Sequence, residues 1–293
     1  MSATDIVWLE SEAALVEALW RPGDPVAGDV IAEVRHELAE LASQLPTEQT
    51  WRLTKRIVAS LVACERYGTA ELRREIATPR NRAMDLGTVF EAGVRSWFAY
   101  GAEYHAGDDV ALWLEAVTAD GGTVELDAEQ MADVVTRRAR LVERLGIEEA
   151  WWPRTEVRAR ADLTDHVLLT GRFDLVVGGA ASGRPHHLVE IKSSLALSEE
   201  HESELRFYAL LAGLRYGPPP ASIILLGPGE AVADARQLVM SERVVRDGAR
   251  LVADALRAAA RGLAGAPIER AGPRCTQCPF REDCATYAEA AAP

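Results

Sequence analysis

Apolar residues recur every three to four positions through VIAEVRHELAELASQL and through WRLTKRIVASLVACERYGTAELRRE, so the chain to about residue 80 is predicted to be helical, with Pro46 between two helices. LGTVFEAGVRSWFAY, near residues 86–100, and AEQMADVVTRRARLVERLG, ended by Gly146, carry the same period. The texture then changes. TEVRARADL, HVLLTGRFDLVVGG and HHLVEIKSS are short, β-branched and partly alternating, which predicts three strands, with Gly178, Gly179 and ASGRP turning the second into the third. SEEHESELRFYALLAGLRYG reads as a helix stopped by Gly217, ASIILLG as a buried strand, and MSERVVRDGARLVADALRAAARG as a long helix. Helices, a run of strands, then helix–strand–helix predict an α/β fold, a central mixed β-sheet flanked by helices. No clean linker interrupts it. The expected division is a helical N-terminal region (1–80), a core (81–265) and a cysteine-bearing tail (266–293).

The 293 residues are 48% hydrophobic, enough for a well-buried core. No run of about eighteen apolar residues occurs, so no membrane span is expected. The acidic N-terminus does not read as a secretory signal, and the expected compartment is the cytoplasm. Four cysteines in a reducing compartment argue for metal ligation or simple burial rather than disulfides. The net charge of −13 excludes a non-specific nucleic-acid coat, because phosphates repel such a surface on average. It leaves room for local basic patches. Arg52, Lys55, Arg56, Arg66, Arg73, Arg74, Arg80 and Arg82 fall in one segment, and Arg243, Arg246, Arg250, Arg257 and Arg261 in one predicted helix. The plain reading of either group is a solvated helix face.

The chemical centre lies in GRFDLVVGGAASGRPHHLVEIKSS. Glu190 and Lys192 are two apart on one predicted strand and project to the same side. A hairpin brings Asp174 alongside, while Phe173, Leu175, Val189 and Ile191 are expected in the core. Convergent carboxylates suit a hard cation such as Mg²⁺ or Mn²⁺, and a neighbouring lysine can orient an attacking water, an inventory that fits phosphodiester hydrolysis. A lone Asp…Glu-x-Lys pattern also arises by chance as a solvent-facing charge pair.

Asp174, Glu190 and Lys192 resemble the motif of the PD-(D/E)XK nuclease superfamily, particularly its RecB-like branch, over most of the chain from Cys64 onward. The resemblance implies a restriction-endonuclease-like core with a helical N-terminal elaboration. It places Glu91, in LGTVFEAG, where that branch often has histidine. The implied metal set is Glu91, Asp174, Glu190 and Ile191, with Lys192 positioning water. Glu156 matches a glutamate on the preceding strand. Tyr208 completes a Gln-x-x-x-Tyr motif in which Glu204 replaces glutamine, a carboxylate that would need Arg206 or a metal as partner near DNA. Phe173 stands where the proline before the aspartate is usual. The implied activity is exonucleolytic cleavage of single-stranded DNA or DNA ends, alongside a separate helicase or repair or CRISPR proteins. A catalytically silent DNA-binding or assembly subunit is the rival reading.

The tail carries Cys275-x-x-Cys278 and Cys284, with Cys64 far upstream. Four thiolates hold Zn²⁺ or an iron–sulfur cluster, and spacing alone does not separate the two. One distant N-terminal cysteine plus C-x2-C-x5-C looks like the four-cysteine nucleases of the RecB-like branch, the CRISPR-associated RecB-type exonucleases and the AddB-type nuclease domain. That resemblance implies a structural 4Fe-4S cluster. No Walker-type loop, G-x-S-x-G elbow or HExxH occurs. His186 and His187, at the hairpin end, are expected at the surface.

Overall fold

A computed structural model of the chain describes residues 6–9, 12–23, 26–76, 82–100, 126–145, 153–192, 199–227 and 235–290. The expected helix stop Gly146, and Arg80, lie outside them. The helices are α1 (Glu12–Trp20), α2 (Gly28–Ala42), α3 (Lys55–Ala63), α4 (Glu65–Leu72), α5 (Arg82–Tyr100), α6 (Ala128–Leu145), α7 (Glu199–Tyr216), α8 (Glu242–Leu263) and α9 (Ala285–Ala290). The strands are β1 (Ile6–Trp8), β2 (Trp51–Leu53), β3 (Arg154–Asp162), β4 (Val167–Gly179), β5 (Arg184–Ile191), β6 (Ser222–Leu226) and β7 (Ala235–Val239). Among the described residues no helix is long and apolar enough to cross a membrane.

The strands form one mixed sheet in the order β1-β7-β6-β5-β4-β2, with β3 also on β4. One hydrophobic cluster packs α2, α3, α7 and α8 against one face, through Val34, Val58, Leu210 and Val252. A second packs α1, α5 and α6 against the other, through Leu19, Phe90 and Leu141. The buried positions on α8, Val245, Ala249, Val252, Leu256 and Ala259, follow the helical period, and Ser241 Oγ accepts from Val244 N at 3.3 Å to start the helix. The basic residues on the opposite side of α8 each face an acid: Arg243 and Arg250 face Asp247, Arg246 faces Glu33 and Glu242, and Arg257 faces Asp254. That group is an ion-paired helix face.

Three strands depart from the helical reading or went unread. Residues 51–75 do not form one helix. Trp51–Leu53 pairs in parallel with Val167–Leu169, and Cys64 (φ −157°, ψ 117°) breaks the rest into α3 and α4. Pairing to β4 overrides the helical period of WRL, and the Thr54 hydroxyl, accepting from Ile57 N at 3.3 Å, begins α3 only afterwards. β1 and β7 are the other two, and they pair with one another. The N-terminal region thus supplies two strands to the sheet.

β4 creates the opening in which the chemistry sits. Its one edge is covered from Leu168 to Val176 by β3. Its other edge is shared: β2 takes Val167–Leu169, and β5 takes Leu175 to Gly179. Residues 170–174 have no strand partner on that side. Side-chain alternation also changes phase there. Val167, Leu169, Phe173 and Val176 join the first cluster, whereas Leu175 and Val177 join the second. Across from this step stands Glu156, at φ 56°, a conformation that costs a non-glycine residue about 1 kcal/mol or more.

His187 is fully buried, which corrects the surface expectation. Its Nε2 lies 2.7 Å from the Leu19 carbonyl and its Nδ1 2.9 Å from Ser222 Oγ, tying α1 to the sheet. Burial depresses its pKa to about 4, and burial does the same for His186. An unfolded chain takes up protons below about pH 6.5 that these folded imidazoles refuse. Stability should therefore fall progressively from about pH 6.5 down to about 4. Urea midpoints across that range test this, and His187→Asn should flatten the decline relative to the parent protein.

Candidate active site

The opening on β4 is a cleft of about 480 Å³ lined by Thr54, Lys55 and Arg56 at the start of α3, Glu91, Arg158, Gly171, Arg172, Asp174, Glu190, Lys192 and Tyr208. α3 approaches from one face of the sheet and α5 from the other, so groups far apart in sequence meet where the ladder is interrupted.

Carboxylate oxygens of Glu91, Glu156 and Asp174 all lie within 4.8 Å of one another. Asp174 is fixed by the Ile191 N–H, which donates to its Oδ2 at 2.8 Å. Burial, then the charges of Glu190 and Glu91, push the Asp174 carboxyl well above the ordinary range. Burial and then the charge of Glu190 also raise the Glu91 carboxyl. Arg172 offsets part of this negative charge, with Nε 2.6 Å from Glu156 and a second nitrogen 3.9 Å from Glu91. Glu190, 3% exposed at its side chain, leaves Oε2 buried with no hydrogen-bond partner. Clustered acids that repel one another, beside an orphaned carboxylate oxygen, fit a divalent cation.

Glu190 Oε1 faces two lysines. Lys192 Nζ approaches it at 2.8 Å and Glu204 Oε2 at 2.5 Å. Lys55 Nζ bonds the same Glu190 oxygen and lies 3.1 Å from the same Glu204 oxygen. Burial works against both ammonium groups, yet the glutamates hold their pKa values above the usual lysine range. Burial likewise opposes the Glu204 charge, and Lys55 and Lys192 outweigh it. Two ammoniums and two carboxylates form a closed, neutral box.

Tyr208 is 3% exposed, with its ring edge-on to Phe173 at 5.1 Å. Its hydroxyl donates to the Arg172 carbonyl at 2.9 Å, standing in for the strand that β4 lacks at this point. Gly171 makes room for that ring: an added Cβ would lie 2.7 Å from Leu211 Cδ2 and 2.9 Å from Tyr208 Cε1.

The structure thus brings Asp174, Glu190, Lys192, Glu91 and Tyr208 into one cleft. Ile191, expected among the metal ligands, has a buried side chain, and its N–H orients Asp174. Two details differ from the expectation. Glu204 pairs with Lys192 and Lys55, while Arg206 faces Glu202 at 3.9 Å. Glu156, rather than Glu190, completes the tight acidic group. Arg172 is not among the expected site residues, and Lys55 is expected only as one member of the basic segment that, with Tyr208, guides the strand. Only the pairing of β2 beside β5 on β4 reveals Lys55, and no motif spacing carries it.

Away from the cleft, Cys64, Cys275 and Cys278 line a cavity of about 90 Å³, and no disulfide forms. Burial raises the Cys278 thiol pKa, and the nearby Cys64, Cys275 and Cys284 add to this. The tail is bound to α3 and α4 by Arg270 on the Val62 carbonyl at 2.8 Å, Arg274 on Ser60 Oγ at 2.5 Å and Arg66 on Glu269 at 2.7 Å. Beside Cys64, the fully buried Glu65 accepts from Arg261 of α8 at 2.6 and 3.1 Å and from Ile268 N at 3.0 Å.

The model of the PD-(D/E)XK nuclease superfamily matches residues 36–285, and the chain belongs to that superfamily. No curated protein matches. Among solved structures, a protein from Eubacterium rectale that carries only a provisional exonuclease assignment aligns over 79% of this chain and 87% of its own, with 11% identity and a TM-score of 0.51. That likeness shows the shared fold. The protein SSO0001 aligns over 88% of this chain and 95% of its own, at 14% identity and a TM-score of 0.35.

Removing one partner of a buried ion pair strands the other's charge. Arg261→Ala is expected to cost about 3 kcal/mol, because it strands the fully buried Glu65 carboxylate, and Glu65→Ala less, because the arginine it leaves behind is 42% exposed. Denaturant titration of both variants measures the difference.

Proposed function

We propose that the protein is a metal-dependent DNA nuclease of the RecB-like type that cleaves single-stranded DNA or DNA ends, using Mg²⁺ or Mn²⁺. The observation that carries this is the meeting of Glu91, Glu156 and Asp174 within 4.8 Å in a cleft that also holds Glu190 and Lys192. Superfamily membership supports the reaction class.

Glu91, Glu156 and Asp174 are the residues that would hold the cation, with Glu190 lining the same cleft. The cation supplies Lewis-acid neutralisation of the charge that grows on a phosphate oxygen. Lys192 orients the attacking water, and Glu190 keeps that lysine charged and in place. Arg172 shields the acids and keeps the cleft from becoming uniformly negative, which would repel the substrate backbone. Tyr208 holds the open edge of β4, so Asp174 stays registered on Ile191.

The four cysteines we assign to an iron–sulfur cluster that fastens the tail to α3 and α4. Three of them, Cys64, Cys275 and Cys278, share one cavity. A separate helicase, or repair or CRISPR proteins, would deliver the DNA.

Asp174→Asn separates chemistry from folding. Cleavage of labelled single-stranded DNA in Mg²⁺ or Mn²⁺ should fall on the order of a hundredfold or more, and EDTA should abolish it in the parent protein. The same variant should melt at a higher temperature, because it removes a buried charge that its neighbours repel. Undiminished cleavage would refute the site.

Anaerobically purified protein should absorb near 400 nm, with iron and sulfide in equal amounts. Cys275→Ser should remove the band and lower the melting temperature. Bound zinc without that band would overturn the cluster assignment.

A further inference from the structure

We propose that Lys55 is the residue that grips a phosphate of the bound strand, with Glu190 and Glu204 as its resting counter-ions. The proposal rests on the nuclease reading above and adds a binding residue that the carboxylate–lysine motif does not contain.

The argument begins with the arithmetic of the charge box. Glu190 presents one oxygen to two ammonium groups, and Glu204 presents one oxygen to the same two. Lys192 alone, at 2.8 and 2.5 Å, already bridges both carboxylates. As a fastening, Lys55 is therefore redundant, and it sets two like charges against each other. Partly buried ion pairs also give back much of their Coulombic gain as desolvation, so stability does not account for a second lysine.

Position separates the two lysines. Lys192 follows directly on β5, is held by its Leu226 backbone partner and is 17% exposed. Lys55 is the first residue of α3, directly after the capping Thr54, and is 27% exposed at the mouth of the cleft. Its Nζ stands 4.9 Å from the centre of the Tyr208 ring, a face that supports a cation without fixing its direction. A flexible ammonium with three donors, whose two carboxylate partners are both also held by Lys192, and with an aromatic face beneath it, can turn outward to an anion. Glu204 then keeps Lys192 as its partner, so no carboxylate is left stranded.

The ligand class follows from the neighbours. Arg56, Arg158 and Arg172 line the same cleft, so an entering group meets cations on the rim and carboxylates at the floor. A phosphodiester, bearing one negative charge beside its reacting bond, matches that polarity. A free carboxylate or a polyanionic protein segment would meet the acidic floor with nothing to displace.

The test is binding of a fluorescein-labelled single-stranded oligonucleotide in EDTA, where no cleavage occurs, measured against salt concentration. A lysine on a phosphate contributes about 0.7 to the slope of log K against log salt for a single strand. Lys55→Gln should weaken binding roughly tenfold at low salt and reduce the slope by about that amount, while Lys55→Arg keeps the slope. In steady-state cleavage, Lys55→Gln should raise KM more than it lowers kcat, the reverse of Lys192→Gln. Glu204→Gln, which leaves Lys55 with Glu190 as its one carboxylate partner of the box, should tighten binding with the slope unchanged. An unchanged slope for Lys55→Gln overturns the proposal, whether affinity stays the same or falls with the melting temperature. If the parent protein cleaves DNA and Lys55→Gln behaves identically, only this inference fails. If the parent protein neither cleaves nor binds, the nuclease reading fails with it.

Discussion

β4 is longer than either strand that shares one of its edges, and the mismatch dictates much of the molecule. β2 stops at Leu53 and β5 begins pairing at Leu175, so residues 170–174 of β4 face no ladder on that side. Backbone groups left without partners are costly inside a protein, and this one fills the interval with side chains. Tyr208 takes the Arg172 carbonyl and Asp174 takes the Ile191 N–H. The interruption is also where helices from both faces send residues to one point. α5 contributes Glu91, α3 contributes Lys55 and α7 contributes Glu204 and Tyr208.

The charges gathered there are balanced in two layers. The acidic group of Glu91, Glu156 and Asp174 is compensated in part by Arg172. The second layer, two lysines on two glutamates, is neutral in itself. A protein with thirteen excess negative charges thereby presents a cleft whose rim is basic, which reconciles the overall composition with an anionic substrate.

Much of this was legible in the sequence wherever periodicity or spacing carried it. Strands β3 to β6, helices α5 to α8 and the pairing of Asp174 with Glu190 and Lys192 all follow from local pattern. What could not be read were features set by pairing at a distance. WRL has helical neighbours and becomes a strand only because β4 offers an edge. Cys64 falls in an apolar-periodic run, yet it leaves the helix to end α3. Lys55 looked like one basic residue among eight. Its place beside Glu190, 135 positions away, depends on β2 lying next to β5 on the same edge. His187 sits at the end of a polar turn by sequence and in the core by structure, because α1 closes over it.

α3 links the cleft to the cysteine cavity. It starts at Lys55 and ends against Cys64, so about 13 Å of rigid rod separates the cleft from the cysteine cavity. The tail grips the far end of that rod through Arg270 and Arg274. Whatever loosens the tail therefore acts on the same short helix whose first residue places an ammonium group over Tyr208, so the cysteine cavity and the cleft are mechanically joined through nine residues.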